Sequence, residues 1–336
     1  MNTNFSFEIP KLLLILQLES PSATIYIKKP LDKLQEYGYI EFITRLESEV
    51  TTEDIHTCDL VIFCRNQDPE YNWILEECLI KKVATIYNLD DNLWEVPEEL
   101  YYARLYRESE QIKQLEIYLN KVDIVLVYSQ DLKQKVSSYN SNVVVDIPCI
   151  DIHLTSPIPI QKKYNKIHIT YLTGRGNTDP LLTIFSEALL KIINLYGDRI
   201  VMHWWGEIPE LFASLPNSRL ENINHDYNDF LYQLTQAGYD IGLAPLLHSK
   251  FYYSKTNTKF RDYGAAHIAG IYTDHSVYSD VVHRQTGLLV TNETDAWFSA
   301  MKDLIDDEDL REHIKQEAYQ FVRTNYHQSK LEKQWL

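Results

Sequence analysis

Short apolar runs alternate with longer amphipathic segments in two successive sets along the chain. This is the pattern of parallel strands buried on both faces and joined by helices. In the first set the runs are KLLLILQ from Lys11, YIEFI from Tyr39, DLVIFC from Asp59, VATIY from Val83, DIVLVYS from Asp123 and NVVVDI from Asn142. Helical periodicity fills the intervals at 30–37, 70–80, 105–121 and 130–139. The second set comprises KIHITYL from Lys166, RIVMHWW from Arg199, YDIGLAP from Tyr239, AGIYT from Ala269 and TGLLV from Thr286. Between the sets, residues 156–166 carry two prolines, two adjacent lysines and no regular period, and so read as an interdomain linker. From Thr294 onward the pattern is almost entirely helical, with a polar break at Asp306-Asp307 placed to cap the next helix. The expected fold class is α/β: two tandem doubly wound parallel-sheet domains over 1–155 and 167–310, followed by a closing helix over 311–336.

The 336 residues suffice for two domains with separate cores. With 32 basic against 48 acidic side chains the formal net charge is −16, and such a surface repels phosphate backbones and anionic lipid. Nucleic acid and a polybasic membrane anchor are therefore poor partners. A site for an anionic small molecule has to be built from a few local cations and backbone amides. Cys58, Cys64, Cys78 and Cys149 show no CxxC pair and no metal spacing with histidine, so they read as packing thiols of a reducing compartment. The run from Leu12 to Leu16 follows Glu8, Pro10 and Lys11 and lacks a small-residue cleavage site, which makes it a buried first strand rather than a leader. No apolar stretch reaches the roughly 18 to 20 residues that span a bilayer. The expected location is the cytoplasm, with peripheral membrane contact left open.

Doubly wound sheets bind ligands outside the carboxyl ends of their strands, so residues just after strands weigh most. SKTNTKFRDYGAA, from Ser254, opens a helix through a Thr and Asn cluster, and free helix amides with Lys255 and Lys259 would form an anion site there. Asp262 lies one turn inside, where a carboxylate can accept from vicinal sugar hydroxyls; the bland alternative is a capped helix with solvated lysines. In TGRGNTDP, Gly174 and Gly176 allow close backbone approach and Arg175 can pair with a phosphate oxygen. The third glycine of a dinucleotide fingerprint is replaced by Asp179, which with Pro180 reads as a helix start, so NAD is not expected. In YNLDDNLWEVP, Asp90 and Asp91 can bind a divalent metal or position an acceptor hydroxyl, or can simply cap a turn. In MHWWGE, Gly206 closes a strand, and Trp204 and Trp205 either face a base or sugar or belong to the core.

The run from DIGLAPL at Asp240 through Phe251, KTNTKFRDYGAA, Tyr278, TGLLV, Asn292, Trp297, Leu304-Ile305 and LREHI resembles the C-terminal domain of group 1 nucleotide-sugar-dependent glycosyltransferases. Those enzymes have the GT-B architecture of two Rossmann-like domains with a cleft between them. In the first half, the segment with Lys28, Pro30 and Leu31, the Tyr-x-x-Asp-Asp from Tyr87 to Asp91 and the strand DIVLVYS are similar too. The resemblance implies retaining, metal-independent transfer of a sugar from a nucleoside diphosphate sugar. The acceptor would be a glycan, glycolipid, protein or small molecule held by the N-terminal domain, and no cofactor beyond the donor is implied. By position, Lys255 and the turn Thr256, Asn257, Thr258 with Lys259 would hold the diphosphate, and Asp262 the ribose. Gly174 and Arg175 would lie over the phosphates, with Gly206 and Pro245 completing the donor site. Tyr26 and Lys28 would join Asp90 and Asp91 in acceptor binding, either aspartate serving as base if the enzyme inverts. The resemblance also has the closing helix cross back to the first domain. The chain departs from the family in carrying Ser254 and Asp262 where two glutamates are usual, and His267 and Ala269 where Gly and Pro are usual. Those departures motivate an alternative: a non-catalytic sugar-nucleotide or glycan-binding homologue acting as partner of an active transferase.

Overall fold

The six apolar runs of the first half form six parallel strands: β1 (Lys11–Leu16), β2 (Glu41–Leu46), β3 (Leu60–Cys64), β4 (Ala84–Asn88), β5 (Ile124–Val127) and β6 (Val143–Val145). The second half forms another six: β7 (Ile167–Tyr171), β8 (Ile200–Trp205), β9 (Ser218–Glu221), β10 (Ile241–Ala244), β11 (Ala269–Thr273) and β12 (Leu288–Val290). This computed structural model describes residues 8–100, 102–155, 166–173, 179–222 and 226–335. The expected linker lies outside them save for Lys166. Two compact units result. The first runs through Val96, resumes over Arg104–Ile147 and takes the chain from Leu331 onward; the second comprises Pro97–Ala103 and Pro148–Lys330. In the first unit the Trp335 Nε1 donates to Asp146 at 3.1 Å.

The two sheets are wound differently. The first has the order β2-β1-β3-β4-β5-β6, so its strand order reverses between β1 and β3. The second has β12-β11-β10-β7-β8-β9, which reverses between β7 and β10 and is the Rossmann order. Central strands are buried along their length, as β8, β10 and β11 are, while the edges β2 and β9 alternate or face solvent. That explains why β9 escapes the sequence pattern: Ser-Arg-Leu-Glu offers a single apolar residue on an edge.

Helices depart from expectation at two places. The first begins at Pro21, capped by the Ser20 hydroxyl, and passes through a π turn over Thr24–Lys28 before the α-helix Lys29–Glu36. Pro30 has no N–H to offer a carbonyl four residues back, and the Lys29 amide bonds instead to Thr24. The segment expected to be one helix over 105–121 is broken at Glu108, which is extended between Ala103–Arg107 and Ser109–Lys121. The closing region matches its pattern: Asp307 separates Thr294–Asp306 from Glu308–Asn325 and accepts from the Leu310 amide at 2.9 Å. Among the described residues no helix is long and apolar enough to cross a membrane.

One glycine lets the helix Thr258–Ala265 approach the second sheet, and its neighbour makes room for a tyrosine of the sheet itself. Gly242 and Gly270 are register partners on β10 and β11. A Cβ on Gly242 would lie 2.6 Å from the Tyr263 ring, and one on Gly270 would lie 2.0 Å from the Tyr272 hydroxyl. Tyr263 occupies the space that Gly242 leaves open, and its hydroxyl donates to the Leu243 carbonyl at 2.8 Å.

Candidate functional site

The carboxyl ends of β7 and β10 flank the point where the second sheet reverses, the place where doubly wound sheets bind ligands. After β7, Asp179 accepts from Tyr171 at 2.6 Å, from Thr173 at 2.7 Å and from the Leu181 amide at 3.2 Å. Asp179 therefore closes the turn ahead of the helix Leu182–Tyr196 rather than capping that helix, as the Asp-Pro pair predicts it would: the N-cap position falls on Leu181, with no side-chain cap. Gly174 and Arg175 lie outside the described residues. After β8, Gly206 takes φ +92°, a conformation glycine adopts without strain. Trp204 and Trp205 are both buried in the core: Trp204 packs on Phe212, and Trp205 donates to Thr170. After β10, Pro245 is buried and leads to the short helix Lys250–Tyr253.

The turn that follows carries the most distinctive chemistry. The helix Thr258–Ala265 has Asn257 at its N-cap position, yet no side chain caps it. The Asn257 amide group is directed elsewhere, its Nδ2 donating to the Tyr326 hydroxyl at 2.6 Å and to Asp280 at 3.1 Å. Its Oδ1 accepts from Arg261 Nε at 3.1 Å. Arg261 is wholly buried, and its Nη2 also donates to the Thr256 and Thr258 hydroxyls at 3.3 and 3.0 Å. The Asn257 side chain therefore does not cap the first turn at the positive end of the helix dipole, where anions bind readily.

Cations stand on both sides of that helix start. Lys255 Nζ lies 4.2 Å from the centre of the Phe251 ring, and Lys259 Nζ lies 6.0 Å from that of Tyr171, the last residue of β7. Asp262 is buried and accepts from the Tyr227 hydroxyl at 2.8 Å. Burial pushes its pKa up, against the lowering effect of Arg261, the Tyr227 hydrogen bond and Lys259. At the places where the family pattern has other residues, Ser254 donates to the Lys250 carbonyl at 3.2 Å. His267 takes φ +53°, the left-handed conformation a glycine adopts readily, and stacks on Tyr319 with ring centres 4.0 Å apart.

The first unit gathers its own polar residues at strand ends. Arg65, at φ +59° just after β3, grips Asp90 with Nε and Nη2 at 2.5 Å each and reaches Asp91 at 3.2 Å. The Asp90 side chain is only 4% exposed and that of Asp91 13%, and the two carboxylates in turn raise the Arg65 pKa well above its ordinary value. Asn66 donates to Glu47 at 2.7 Å, and Tyr87 donates to the Asn66 carbonyl at 2.8 Å. Burial pushes Glu47 up to about 7. Tyr26 is buried in the π turn and stacks on Tyr128 at 4.2 Å, and Lys28 ends that turn, half-buried. Among the described residues no group of three or more His, Cys, Asp and Glu side chains is arranged to hold a metal.

Arg261, Tyr227, Tyr326 and Arg65 were not among the residues the sequence singled out. Arg261 sits inside the motif itself, but an arginine within a polar helix reads as solvated. Only the fold shows it turned inward.

No protein-family model matches the sequence, and no curated protein does. Solved structures do. HepE from Anabaena, solved with UDP and glucose, is similar at 14% identity over 96% of this chain and 98% of its own, with a TM-score of 0.69. Sucrose-phosphate synthase from Thermosynechococcus elongatus is similar at 12% identity over 97% of each chain, with a TM-score of 0.70. A glycosyltransferase from Rickettsia africae matches at 13% identity over 98% and 97%, with a TM-score of 0.65. With two parallel six-stranded sheets the chain has the α/β fold of these structures, the GT-B fold that the resemblance implies.

Proposed function

We propose that this chain is a glycosyltransferase that moves a sugar from a nucleoside diphosphate sugar to an acceptor hydroxyl. The observation that carries the reading is the uncapped helix start at Thr258, flanked by Lys255 and Lys259 and followed one turn on by Asp262, in a chain of GT-B fold. HepE is solved with UDP and glucose, which makes a UDP-sugar the first donor to try.

In this reading the diphosphate takes hydrogen bonds from the first-turn amides and charge from Lys255 and Lys259. Asp262 accepts from the ribose beside Tyr227. Gly206 and Pro245 shape the strand ends around the nucleotide. As the bond between the anomeric carbon and the phosphate oxygen breaks, negative charge grows on the leaving diphosphate. Preorganised amides and lysines stabilise that charge more than they stabilise the bound donor. The same groups would serve where other transferases use a divalent ion, so no resident metal is invoked. For retention, the leaving phosphate oxygen takes the acceptor proton while the acceptor oxygen bonds the anomeric carbon. Tyr26, Lys28 and Asp91 of the first unit are our acceptor contacts. Asp90, gripped on both oxygens by Arg65, is assigned to fixing the guanidinium that also reaches Asp91. The acceptor is a glycan, glycolipid, protein or metabolite, and the reaction runs in the cytoplasm.

A binding role without turnover is favoured by one observation: Ser254 stands where the family pattern has a glutamate, and its hydroxyl is turned to the Lys250 carbonyl. The deciding experiment offers the full chain UDP-, GDP- and dTDP-sugars and assays release of the nucleoside diphosphate. Release with a suitable acceptor supports the transferase. Tight binding with no release over a broad donor and acceptor panel establishes the partner-subunit role instead.

A further inference from the structure

Asparagine is among the best helix N-caps because its side-chain oxygen accepts from amides two or three residues on. At Asn257 that oxygen is taken by Arg261 Nε at 3.1 Å, and the helix start has no side-chain cap. The rest of the guanidinium fixes the same turn from behind. Nη1 donates to the Cys149 carbonyl at 3.1 Å, Nη2 donates to Thr256 and Thr258, and the carbon of the fork lies 5.9 Å from the Tyr326 ring centre. Stability alone does not call for an arginine here. Burying a guanidinium is costly, and an apolar side chain of similar volume is often as stable or more so. Arginine does offer a rigid fork of donors that can serve several acceptors of one turn together. The hydroxyls of Thr256 and Thr258, 2.9 Å apart, both accept from this cation, and hydroxyls that accept in such a chain are polarised into stronger donors.

We propose that Arg261 is a positioning residue of the phosphate site: by engaging the Asn257 oxygen it keeps that oxygen from capping the helix, and so holds the first-turn amides open to an anion. The inference rests on the donor-binding reading above. Arg261 does not touch the donor. It acts through Asn257 and the two threonines, and its loss lets the chain's own asparagine occupy the place of the phosphate.

The test is calorimetric titration of the full chain with whichever of UDP, GDP and dTDP binds tightest, and with the parent nucleoside. Arg261→Met should weaken the diphosphate by about tenfold while changing the nucleoside less than about twofold, since the lost contacts are charge-assisted ones to phosphate. Adding Asn257→Ala to Arg261→Met removes the competing cap and should restore most of the lost affinity, which a merely structural role would not do. Should Arg261→Met fail to fold, Arg261→Lys retains the charge but cannot reach Asn257, Cys149 and both threonines together, and should lower diphosphate affinity in the same selective way. Equal losses for diphosphate and nucleoside, or no recovery in the double variant, overturn the inference and leave the donor reading standing. A wild-type chain that binds none of the three diphosphates overturns the donor reading, and the inference with it.

Discussion

The two sheets end in polar clusters of opposite character. In the first unit, Arg65 closes on Asp90 and Asp91, and the Asn66 amide on Glu47, so donors and carboxyl groups satisfy one another. In the second, the internal bonds of Arg261, Asn257 and Tyr326 lie behind the turn and leave the helix start uncapped, with lysines on either side. A cluster that neutralises itself is held together by its own charges and offers little to an anion. One whose bonds are spent on orientation presents a preorganised surface to a ligand. The contrast teaches that strand-end position alone, which both clusters share, does not mark a site for an anion; what separates them is where their hydrogen bonds are spent.

Breaking the self-satisfied cluster should cost the most stability. Arg65→Ala removes the cation that grips two largely buried carboxylates and should destabilise the protein by about 3 to 5 kcal/mol, read as a lower denaturant midpoint. Lys255→Ala is the counterpart in the second unit. It should lower nucleoside diphosphate affinity by about tenfold or more in calorimetry, with stability changed by less than about 0.5 kcal/mol. Asp262→Asn sharpens the division of labour within that site, because a ribose contact should weaken nucleoside and diphosphate alike, each by about fivefold. A pH-dependent effect belongs to Glu47. Its folded pKa of about 7 lies above the ordinary 4.5, so its contribution to stability is complete below about pH 4.5 and is lost as pH rises through about 7. Glu47→Gln should therefore flatten the pH dependence of the denaturant midpoint across that window, and raise the midpoint slightly at pH 8. Asp146, pushed up to about 6 by burial, leaves a residual slope at the lower end in both proteins.

Eleven of the twelve described strands could be read from the sequence: the central ones because a parallel strand buried on both faces must be a continuous apolar run, and the edges β2, β6 and β12 because each keeps several apolar residues. The twelfth, β9, is an edge strand with two charged residues and gives no such signal. The π turn at Thr24–Lys28 and the break at Glu108 were equally silent, since both are changes of backbone path within helical periodicity. At the candidate site, lysines beside a Thr and Asn cluster after a strand were visible as a pattern. What they bond to was not. Arg65 lies 25 residues before Asp90 and reaches it because Cys64 and Asn88 are register partners on β3 and β4. That pairing is a property of the sheet rather than of any local segment. Arg261 was hidden in plain view, since burial of a charge inside a polar helix follows only from how the helix packs.

The central claim is that the turn at Lys255–Lys259 binds a nucleoside diphosphate. Calorimetric titration of the wild-type chain and of Lys255→Ala with UDP, GDP and dTDP, in chelator, tests it most directly. The account predicts saturable one-to-one binding of one diphosphate by the wild type, weakened about tenfold in the variant through loss of a charge-assisted contact. Absence of binding by all three, or affinity unchanged by Lys255→Ala, would contradict it.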